Sequence, residues 1–265
     1  MKKLSRRVNA RIWLPPAVTL MMVLAAWQVA VITLRIPNYI LPLPSEVFSA
    51  LVSGFAEGSL WPHIGYTLLE TVTGYAIGSL FALVLGALLG ESETFERYVY
   101  PLLIGIQAVP KVALAPLILV WFGFGFASKL VLVVLICFFP LFINMLVGMR
   151  RVDVELIDAC RAFSASRTFI FFHVKLPFVA GDIFAGLQIG VSLALIGAVV
   201  GEFVSSQQGL GYLVQSSATN MSVSTMFAGV FLLAVLGIGG SQLVRAIHRR
   251  VVFWDLPPAA ADDQA

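Results

Sequence analysis

Charged residues are scarce in this sequence. Asp, Glu, Lys and Arg make up 12% of its 265 residues, whereas about a quarter is typical of a soluble protein. Hydrophobic residues make up 59%, and the mean hydropathy is +0.94. A chain with so few charges must place most of its surface against lipid. The composition therefore excludes a soluble globular protein and predicts an integral membrane protein.

Motifs for bond chemistry are also missing. The sequence has no G-x-x-x-x-G-K-[ST] and no Gly-Lys pair, which excludes a nucleotide-binding P-loop. It has no G-x-S-x-G and no H-E-x-x-H, and its three histidines, His63, His173 and His248, lie far apart. The two lone cysteines, Cys137 and Cys160, indicate neither a disulfide nor a metal site. We therefore predict a protein that is not an enzyme and has no cofactor or metal of its own.

Long apolar runs are abundant instead. Six of them reach the roughly 20 residues that a helix needs to cross a bilayer. They lie at about 12–34, 65–90, 100–122, 128–148, 179–201 and 226–246. The first follows a basic N-terminus, but it is longer than a secretory h-region and no A-x-A site follows it, so we interpret it as an uncleaved span. The third contains Pro110 and Pro116, which we expect to kink it. The sequence predicts an all-α membrane protein with six transmembrane helices in a single domain, residues 1–265.

A short amphipathic helix is predicted between the first two spans. Pro42 and Pro44 stop the chain, and Ser45 is a suitable N-cap. Apolar residues then recur at helical spacing from Val47 to Phe55. Such a helix would lie at the membrane surface.

The distribution of Lys and Arg sets the orientation. If the N-terminus is cytoplasmic, the cytoplasmic segments hold 14 of the 17 Lys and Arg residues, and the external segments hold only Arg35 and Lys129. Lys111 lies within the third span. This asymmetry predicts that both termini and segment 155–177 are cytoplasmic. Because the basic residues are spread over segments that flank the membrane, where they meet lipid headgroups, they do not indicate a nucleic-acid partner.

Glycines recur four positions apart in the second and fifth spans. The pairs are Gly74/Gly78, Gly86/Gly90, Gly186/Gly190 and Gly197/Gly201. Helices in lipid associate where small residues let their backbones approach closely. We therefore expect these two spans to be the most tightly packed. Packing inside one subunit is the main interpretation, and a subunit interface or a path lining is the alternative.

Segment 155–177 is polar and helix-prone, although strongly apolar runs flank it. One short helix is predicted over Glu155–Ala162, and Ser164 and Ser166 interrupt it. A second helix is predicted over Arg167–Val174, after which Leu176-Pro177 starts the return into the membrane. A polar helix beside the membrane, with an apolar face and no core of its own to fill, is a surface for a cytoplasmic partner.

This segment resembles the EAA loop of binding-protein-dependent ABC importer permeases. The residues that match the family pattern Glu-Ala-Ala, Gly, Ile and Leu-Pro are Asp158-Ala159-Cys160, Ser164, Val174 and Leu176-Pro177. Asp for Glu and Cys for Ala preserve charge or size. Ser164 replaces the glycine that makes the turn between the two helices, and serine adopts a positive φ less readily than glycine.

The resemblance extends over nearly the whole chain. Further blocks are similar to the permeases for nitrate, aliphatic sulfonates and taurine, and relatives for pyrimidine thiamine precursors and aromatic acids share them. These blocks are Leu41–Val47, Ala113–Leu117 with Trp121-Phe122-Gly123, Gly197–Phe203 and Gly209–Tyr212.

The resemblance implies the type I ABC importer permease (MetI-like) fold in a cell inner membrane. Two permease copies, expected to be a homodimer, would form the pathway. Each copy would dock its EAA loop on one of two separate ATPase subunits, which bind ATP and Mg. A periplasmic or lipid-tethered binding protein would deliver the solute. A small anion such as nitrate, a sulfonate or taurine is the expected substrate, and a pyrimidine thiamine precursor or an aromatic acid is the alternative.

The resemblance places the ATPase contact in the loop. The residues expected to make it or to hold the loop in place are Asp158, Ala159, Cys160, Arg161, Phe163, Ser164, Leu176 and Pro177.

Five polar residues in or near the spans are costly in lipid and are candidates for the pathway or a gate. They are Glu70, Lys111, Asn144, Gln188 and Glu202. The other interpretations are snorkelling for Lys111, an interfacial position for Glu202 and an interfacial or interhelical contact for Glu70. For Asn144 and Gln188 the alternative is an interhelical hydrogen bond.

Two other classes of function are compatible with a multi-pass membrane protein. An ion-coupled secondary transporter would have internal repeats and charged pairs at mid-membrane, and no two halves of this sequence resemble each other. A non-transporting membrane scaffold would leave the EAA pattern unexplained.

Overall fold

The structure, a computed structural model, describes residues 2–254, and for 2–14, 16, 17 and 93 it describes only the backbone. Within this range the regular elements are helices. In chain order they are α1 (Lys2–Thr33), α2 (Pro44–Ala56), α3 (Leu60–Glu91), α4 (Glu93–Ala108), α5 (Ala115–Phe122), α6 (Phe126–Arg150), α7 (Val154–Ala162), α8 (Arg167–Ile170), α9 (Leu176–Ser205), α10 (Leu210–Thr219) and α11 (Val223–Val251). A 3-10 turn, Lys111–Leu114, precedes α5, and a π-helical turn, Phe171–Lys175, joins α8 to α9.

Among the described residues, four helices are long and apolar enough to cross a membrane: α3, α6, α11 and the continuous helix Arg167–Ser205. A fifth crossing needs Thr94–Ala108 and Lys111–Phe122 to act as one span bent by 82°. The first predicted span falls in α1, where the apolar helix among the described side chains, Val18–Thr33, is shorter. The all-α membrane class is confirmed, whereas the six predicted spans are not six regular helices.

The predicted third span is broken rather than kinked. Val109 is extended, because the proline that follows it disfavours a helical conformation, and α4 ends at Ala108. The expectation of a kink was wrong for Pro116, which lies in the first turn of α5. Proline suits that position, since the N–H that it lacks would have no intrahelical partner there.

The chain folds into two compact units, one formed by residues 2–62 with 213–231 and the other by 63–212 with 232–254. In the first unit, the rings of Trp27 and Phe227 lie 5.7 Å apart.

The amphipathic helix predicted in the first unit is α2, but Ser45 is not its N-cap. The helix begins at Pro44, whose φ is preset for the first helical position, and Leu43 occupies the cap. The Ser45 N–H instead donates to the side-chain oxygen of Gln28 at 3.3 Å. The Glu46 carboxylate reaches back to accept the N–H of Leu43 at 3.4 Å.

In the second unit, α6 forms the centre of the core. Half of its most apolar stretch is buried, a larger share than in any of the other three spanning helices. Its buried side chains pack with residues of α3 and α9. This core consists mainly of Ala82, Leu89, Leu141, Phe142, Met145, Leu146, Met149, Val179 and Ile183.

The glycines of α3 and α9 bring both helices against α6. A Cβ added at Gly78 would lie 2.6 Å from the Cys137 sulfur, and one added at Gly186 would lie 2.8 Å from the Leu141 Cα. No larger residue permits such an approach without a shift of the neighbour. Other glycines that face α6 at short distance are Gly74, Gly86, Gly90, Gly197 and Gly201. The glycine faces pack closely, as expected, but the most buried span is α6, against which both helices lie, and not either of the two that were predicted. The contacts of these glycines lie within one chain.

Gly186→Ala is expected to destabilise the protein by about 1–3 kcal/mol, the usual cost of overpacking, because its Cβ would displace the Leu141 backbone. Gly65→Ala in α3 is the control, since no atom lies within 4 Å of the added Cβ. This variant should be neutral or slightly stabilised through helix propensity. Thermal unfolding of the purified protein in nanodiscs measures both, and equal unfolding temperatures would contradict the packing described.

Candidate functional site

The polar loop starts with α7, which confirms the predicted helix and extends it by one residue to Val154. The Asp153 carboxylate caps the helix by accepting the N–H of Glu155 at 2.9 Å. No residue of α7 is buried. The half-buried Ile157 packs against the core, whereas Leu156 and Ala159 of the same helix are exposed.

The turn after α7 is tight although a serine occupies its key position. Ser164 has a φ of +60°, in the left-handed region. Its N–H donates to the carbonyl of Arg161 at 2.8 Å, and the N–H of Ala165 donates to the carbonyl of Cys160 at 3.0 Å. This pair of bonds closes a helix through a left-handed residue that is usually glycine. Ser164 thus makes the turn, at a conformational cost of about 1–2 kcal/mol.

The second helix of the loop does not end before Leu176-Pro177, so the predicted boundary was wrong. Ser166 caps this helix by accepting the N–H of Phe169 at 3.2 Å, and from Arg167 the helix continues without a break to Ser205. Proline removes one helical hydrogen bond and clashes with the preceding turn. The π-helical turn just before Pro177 provides the wider geometry in which the proline fits.

The predicted docking residues fall into two groups. Those of α7 and its turn are exposed or half-buried, and Asp158 and Arg161 form an exposed ion pair of 3.0 Å. Phe163 is 89% exposed, and Ala159 lies one turn before it on the same face. The second group, Leu176 and Pro177, is half-buried and lies apart from this face. Leu176 packs against the core, and the Pro177 carbonyl accepts the indole N–H of Trp254 at 3.2 Å.

Ion pairs fix the base of the loop to neighbouring helices. Lys175, in the π-helical turn, binds the Glu91 carboxylate at the end of α3 at 2.5 Å. Arg150, at the end of α6, pairs with Glu96 of α4 and lies 5.0 Å from the Tyr100 ring. The acidic partners, Glu91 and Glu96, both lie between the second and third predicted spans.

A buried polar cluster lies at the opposite ends of the same helices. Lys129 of α6 donates to the Glu70 carboxylate of α3 at 2.6 Å and to the Ser206 hydroxyl at 2.9 Å. Glu202 of α9 accepts the Thr67 hydroxyl at 2.6 Å. Glu70 and Glu202 are 0% exposed and Lys129 is 3% exposed. The placement of Lys129 in an external aqueous segment was therefore wrong, because its partner holds it inside the protein.

A glycine-rich segment closes over Glu202. The Gly211 N–H donates to the Glu202 carboxylate at 2.5 Å, and the Leu210 N–H donates to the Thr67 hydroxyl at 2.8 Å. A Cβ at Gly209, which has a φ of +109°, would lie 2.3 Å from the Glu202 carboxyl carbon. The backbone can therefore follow this path only with glycine at that position. Glu70 makes the interhelical contact that was one of its alternatives, whereas the buried contacts of Glu202 with Thr67 and Gly211 differ from the interfacial position considered for it.

Lys111 and Asn144, the next two candidates for the pathway or a gate, lie outside this buried cluster. Lys111 is at the break between α4 and α5, where its ammonium donates to the Gln107 carbonyl at 3.1 Å and lies 4.5 Å above the Phe139 ring. Asn144 donates to the Pro140 carbonyl at 2.7 Å, one turn earlier in its own helix. This bond corrects the alternative of an interhelical hydrogen bond for Asn144, because the carbonyl belongs to the same helix.

Gln188 is half-buried and lines an open cavity of about 610 Å³ between α9 and α11. The hydroxyls of Ser192 and Ser241 meet at 3.2 Å on the wall of this cavity. The rest of the lining is apolar, with Ala185, Ile189 and Leu193. Among the described side chains, no group of three or more His, Cys, Asp or Glu residues could hold a metal ion.

Comparison with known proteins gives the family. Residues 78–253 match the family model described as binding-protein-dependent transport system inner membrane component. The chain is 38% identical to a probable ABC transporter permease protein of Haemophilus influenzae, over 85% of this chain and 91% of the relative. It is 30% identical to the formylaminopyrimidine transport permease of Halalkalibacterium halodurans, over 91% of this chain and 96% of the relative. It is also 30% identical to the taurine transport system permease of Escherichia coli, over 86% of this chain and 84% of the relative.

The fold is similar to a chain of the MetNI methionine ABC transporter solved in inward-facing conformations. The TM-score is 0.59 and the sequence identity is 19%, over 72% of this chain and 98% of that chain. At this identity the likeness shows the fold alone, and it agrees with the predicted MetI-like architecture. The chain therefore belongs to the family of binding-protein-dependent transport system inner membrane components, as a permease subunit of an ABC importer.

Proposed function

We propose that α7 docks into a separate ATPase subunit. The long helix that follows it, Arg167–Ser205, transmits the resulting movement to the transport pathway. One observation carries the proposal: α7 is a capped helix with no buried residue, and the chain places Phe163, 89% exposed, at its end. Two copies of this permease and two ATPase subunits, which bind ATP and Mg, form the complex. Both termini and the loop face the cytoplasm, and a periplasmic or lipid-tethered binding protein delivers the solute from outside.

The exposed face of α7 suits a protein partner. Leu156, Ala159 and Phe163 fall on one side of the helix, and Leu156 and Phe163 are exposed. Burying a phenylalanine side chain contributes about 1.5–3 kcal/mol, and a central aromatic residue is the usual energetic anchor of an interface. The pair of Asp158 and Arg161 is exposed and contributes little stability by itself. It is available as the polar rim of the contact.

The continuous helix from Arg167 to Ser205 supports mechanical transmission. It has 39 residues and is therefore roughly 58 Å long at about 1.5 Å per residue. The docking turn lies at one end of this helix, and the Glu202 cluster lies near the other. A displacement of α7 by the ATPase would be passed along the helix rather than absorbed at a hinge.

Two polar places are our candidates for contact with the solute. Gln188 and Ser192 of α9, with Ser241 of α11, make one part of the cavity wall polar, and polar groups in a membrane helix face protein or a water-filled path. Lys111 keeps part of its hydrogen-bonding capacity, since one described carbonyl accepts from its ammonium. A cation at the break of a bent span would attract a small anionic substrate, such as nitrate, a sulfonate or taurine. The alternative substrate is a heterocyclic solute, because one relative is a formylaminopyrimidine transport permease.

An ion-coupled transporter is the alternative class, because the buried pair of Lys129 and Glu70 is the kind of intramembrane charge pair that such a mechanism uses. The family membership weighs against it. Uptake by proteoliposomes that contain this chain alone would favour the alternative, and uptake that requires the ATPase and ATP supports the importer.

Phe163→Ala is expected to weaken binding of the ATPase subunit at least about tenfold, since the loss of a buried phenylalanine exceeds the 1.4 kcal/mol that a factor of ten represents. Ala159→Asp should act in the same direction. Val154→Ala is the control, because Val154 is also exposed but lies on the opposite side of α7. Affinity of the purified permease for the ATPase and solute-stimulated ATP hydrolysis measure the effect. Normal transport by Phe163→Ala would refute the docking assignment.

Ser164→Gly is expected to stabilise the turn by about 1 kcal/mol, because glycine adopts a positive φ without a Cβ clash. Ser164→Val should destabilise it, since a β-branched residue fits that region poorly. Hydrogen exchange of the amides of residues 164 and 165, which donate the two closing bonds, should slow in the first variant and quicken in the second. Unchanged exchange in both variants would argue against the left-handed turn.

Lys111→Gln is expected to raise the KM for an aliphatic sulfonate about tenfold, the equivalent of one charge-assisted hydrogen bond. Lys111→Arg should retain most of the affinity because it keeps the charge. Uptake is measured with the complete transporter in proteoliposomes, with formylaminopyrimidine as the uncharged probe. An equal rise in KM for both solutes would indicate a structural role, and no rise for the sulfonate would remove Lys111 from the path.

A further inference from the structure

The buried cluster of α3, α6 and α9 contains more negative than positive groups. Its ionisable members are the carboxyls of Glu70 and Glu202 and the ammonium of Lys129, and all three are at most 3% exposed. Two other titratable side chains face them. The Tyr66 ring lies 5.1 Å from the Lys129 ammonium, and His63 contacts the backbone of Gly209 at 3.0 Å. With both glutamates ionised, the cluster would carry one uncompensated negative charge.

Such a charge is expensive where the surroundings exclude water. The effective penalty for burying one ion is several kcal/mol even after relaxation, unless a partner of opposite charge lies beside it. Lys129 supplies one positive charge for the two carboxylates. Its ammonium also donates to the Ser206 hydroxyl. A second positive charge within the cluster would bring its net charge to zero.

One oxygen of Glu70 accepts from Lys129, whereas the other, Oε2, is buried and has no hydrogen-bond partner among the described residues. The Glu202 carboxyl belongs to the same cluster, because Thr67, one turn before Glu70 in α3, donates to it at 2.6 Å. Each oxygen of Glu202 already accepts one donor, from Thr67 and from the Gly211 N–H, and each keeps a free lone pair. Two neighbouring carboxyls that share one proton would satisfy every oxygen and bring the charge of the cluster to zero.

We infer that Glu70 and Glu202 bind one proton between them, held on Oε2 of Glu70 and donated to the carboxylate of Glu202. The proton is not transferred to a substrate, and no bond other than this hydrogen bond forms or breaks. Its binding joins the ends of α3 and α9 next to the segment that Gly209 and Gly211 fold over Glu202. When the proton is lost, two carboxylates repel each other at this point. The closed arrangement is therefore stable while the proton is bound, and it is weakened as the pH rises.

Infrared spectroscopy of the purified full chain in nanodiscs tests the inference directly. At neutral pH the wild type should show the carbonyl stretch of one protonated carboxylic acid. Glu70→Gln and Glu202→Gln should each lose this band, because the remaining carboxylate is neutralised by Lys129 alone. Glu57→Gln, at an exposed glutamate, is the control and should keep it. Absence of the band in the wild type, or its survival in both cluster variants, would overturn the proposal.

Thermal unfolding gives a second readout that doesn't depend on transport. The unfolding temperature of the wild type should fall as the pH is raised from neutral to alkaline, and that of Glu70→Gln should fall less, because its amide can still donate to Glu202. A small monovalent metal ion is the other ligand that would balance the charge. If the unfolding temperature rose with the sodium concentration at constant pH and the carboxylic acid band were absent, the bound ligand would be sodium and not a proton. That result would refute the inference.

Discussion

The close approach of α3 and α9 to α6 and to each other is the constraint on which the second unit depends. Lipid provides no hydrophobic force that drives apolar helices together, so van der Waals packing between backbones must do so. Glycines provide that contact along both helices, as at Gly78 and Gly186. Once the three helices are fixed in this way, their two ends become two different sites. Ion pairs hold the polar loop at one end, and the buried cluster joins the helices at the other.

The continuity of the helix between Arg167 and Ser205 makes these two ends mechanically dependent on each other. A proline near the middle of a helix usually creates a flexible kink, and Pro177 would then separate the loop from the span. The π-helical turn from Phe171 to Lys175 accommodates the proline instead. The pair of Lys175 and Glu91 ties that turn to α3. The loop is therefore attached to the bundle through a stiff element and a lateral brace.

The sequence predicted what local spacing encodes and missed what depends on distant partners. The glycine faces and α7 could be predicted because helical periodicity and short polar segments are visible within a few turns. Lys129 was misplaced because it lies only three residues into α6, beside a Gly-containing turn, and its partner is 59 residues earlier in the chain. The N-cap of α2 was misplaced by two residues, since the choice between Ser45 and Leu43 is decided by Pro44 and by Gln28 of another helix.

The stability of the fold does not by itself explain why the second unit buries charged side chains. Apolar side chains of similar volume usually stabilise a core at least as well as a buried ion pair, and the rest of the second unit is packed with such residues. Apolar surfaces, however, tolerate small displacements with little loss, whereas a hydrogen-bonded cluster loses its partners as soon as the helices separate. The set of Glu70, Lys129 and Glu202 therefore fixes one arrangement of three helices in register. A permease must pass between two discrete arrangements. Separation of the three helices would break these hydrogen bonds together, which favours an all-or-none change over a gradual one.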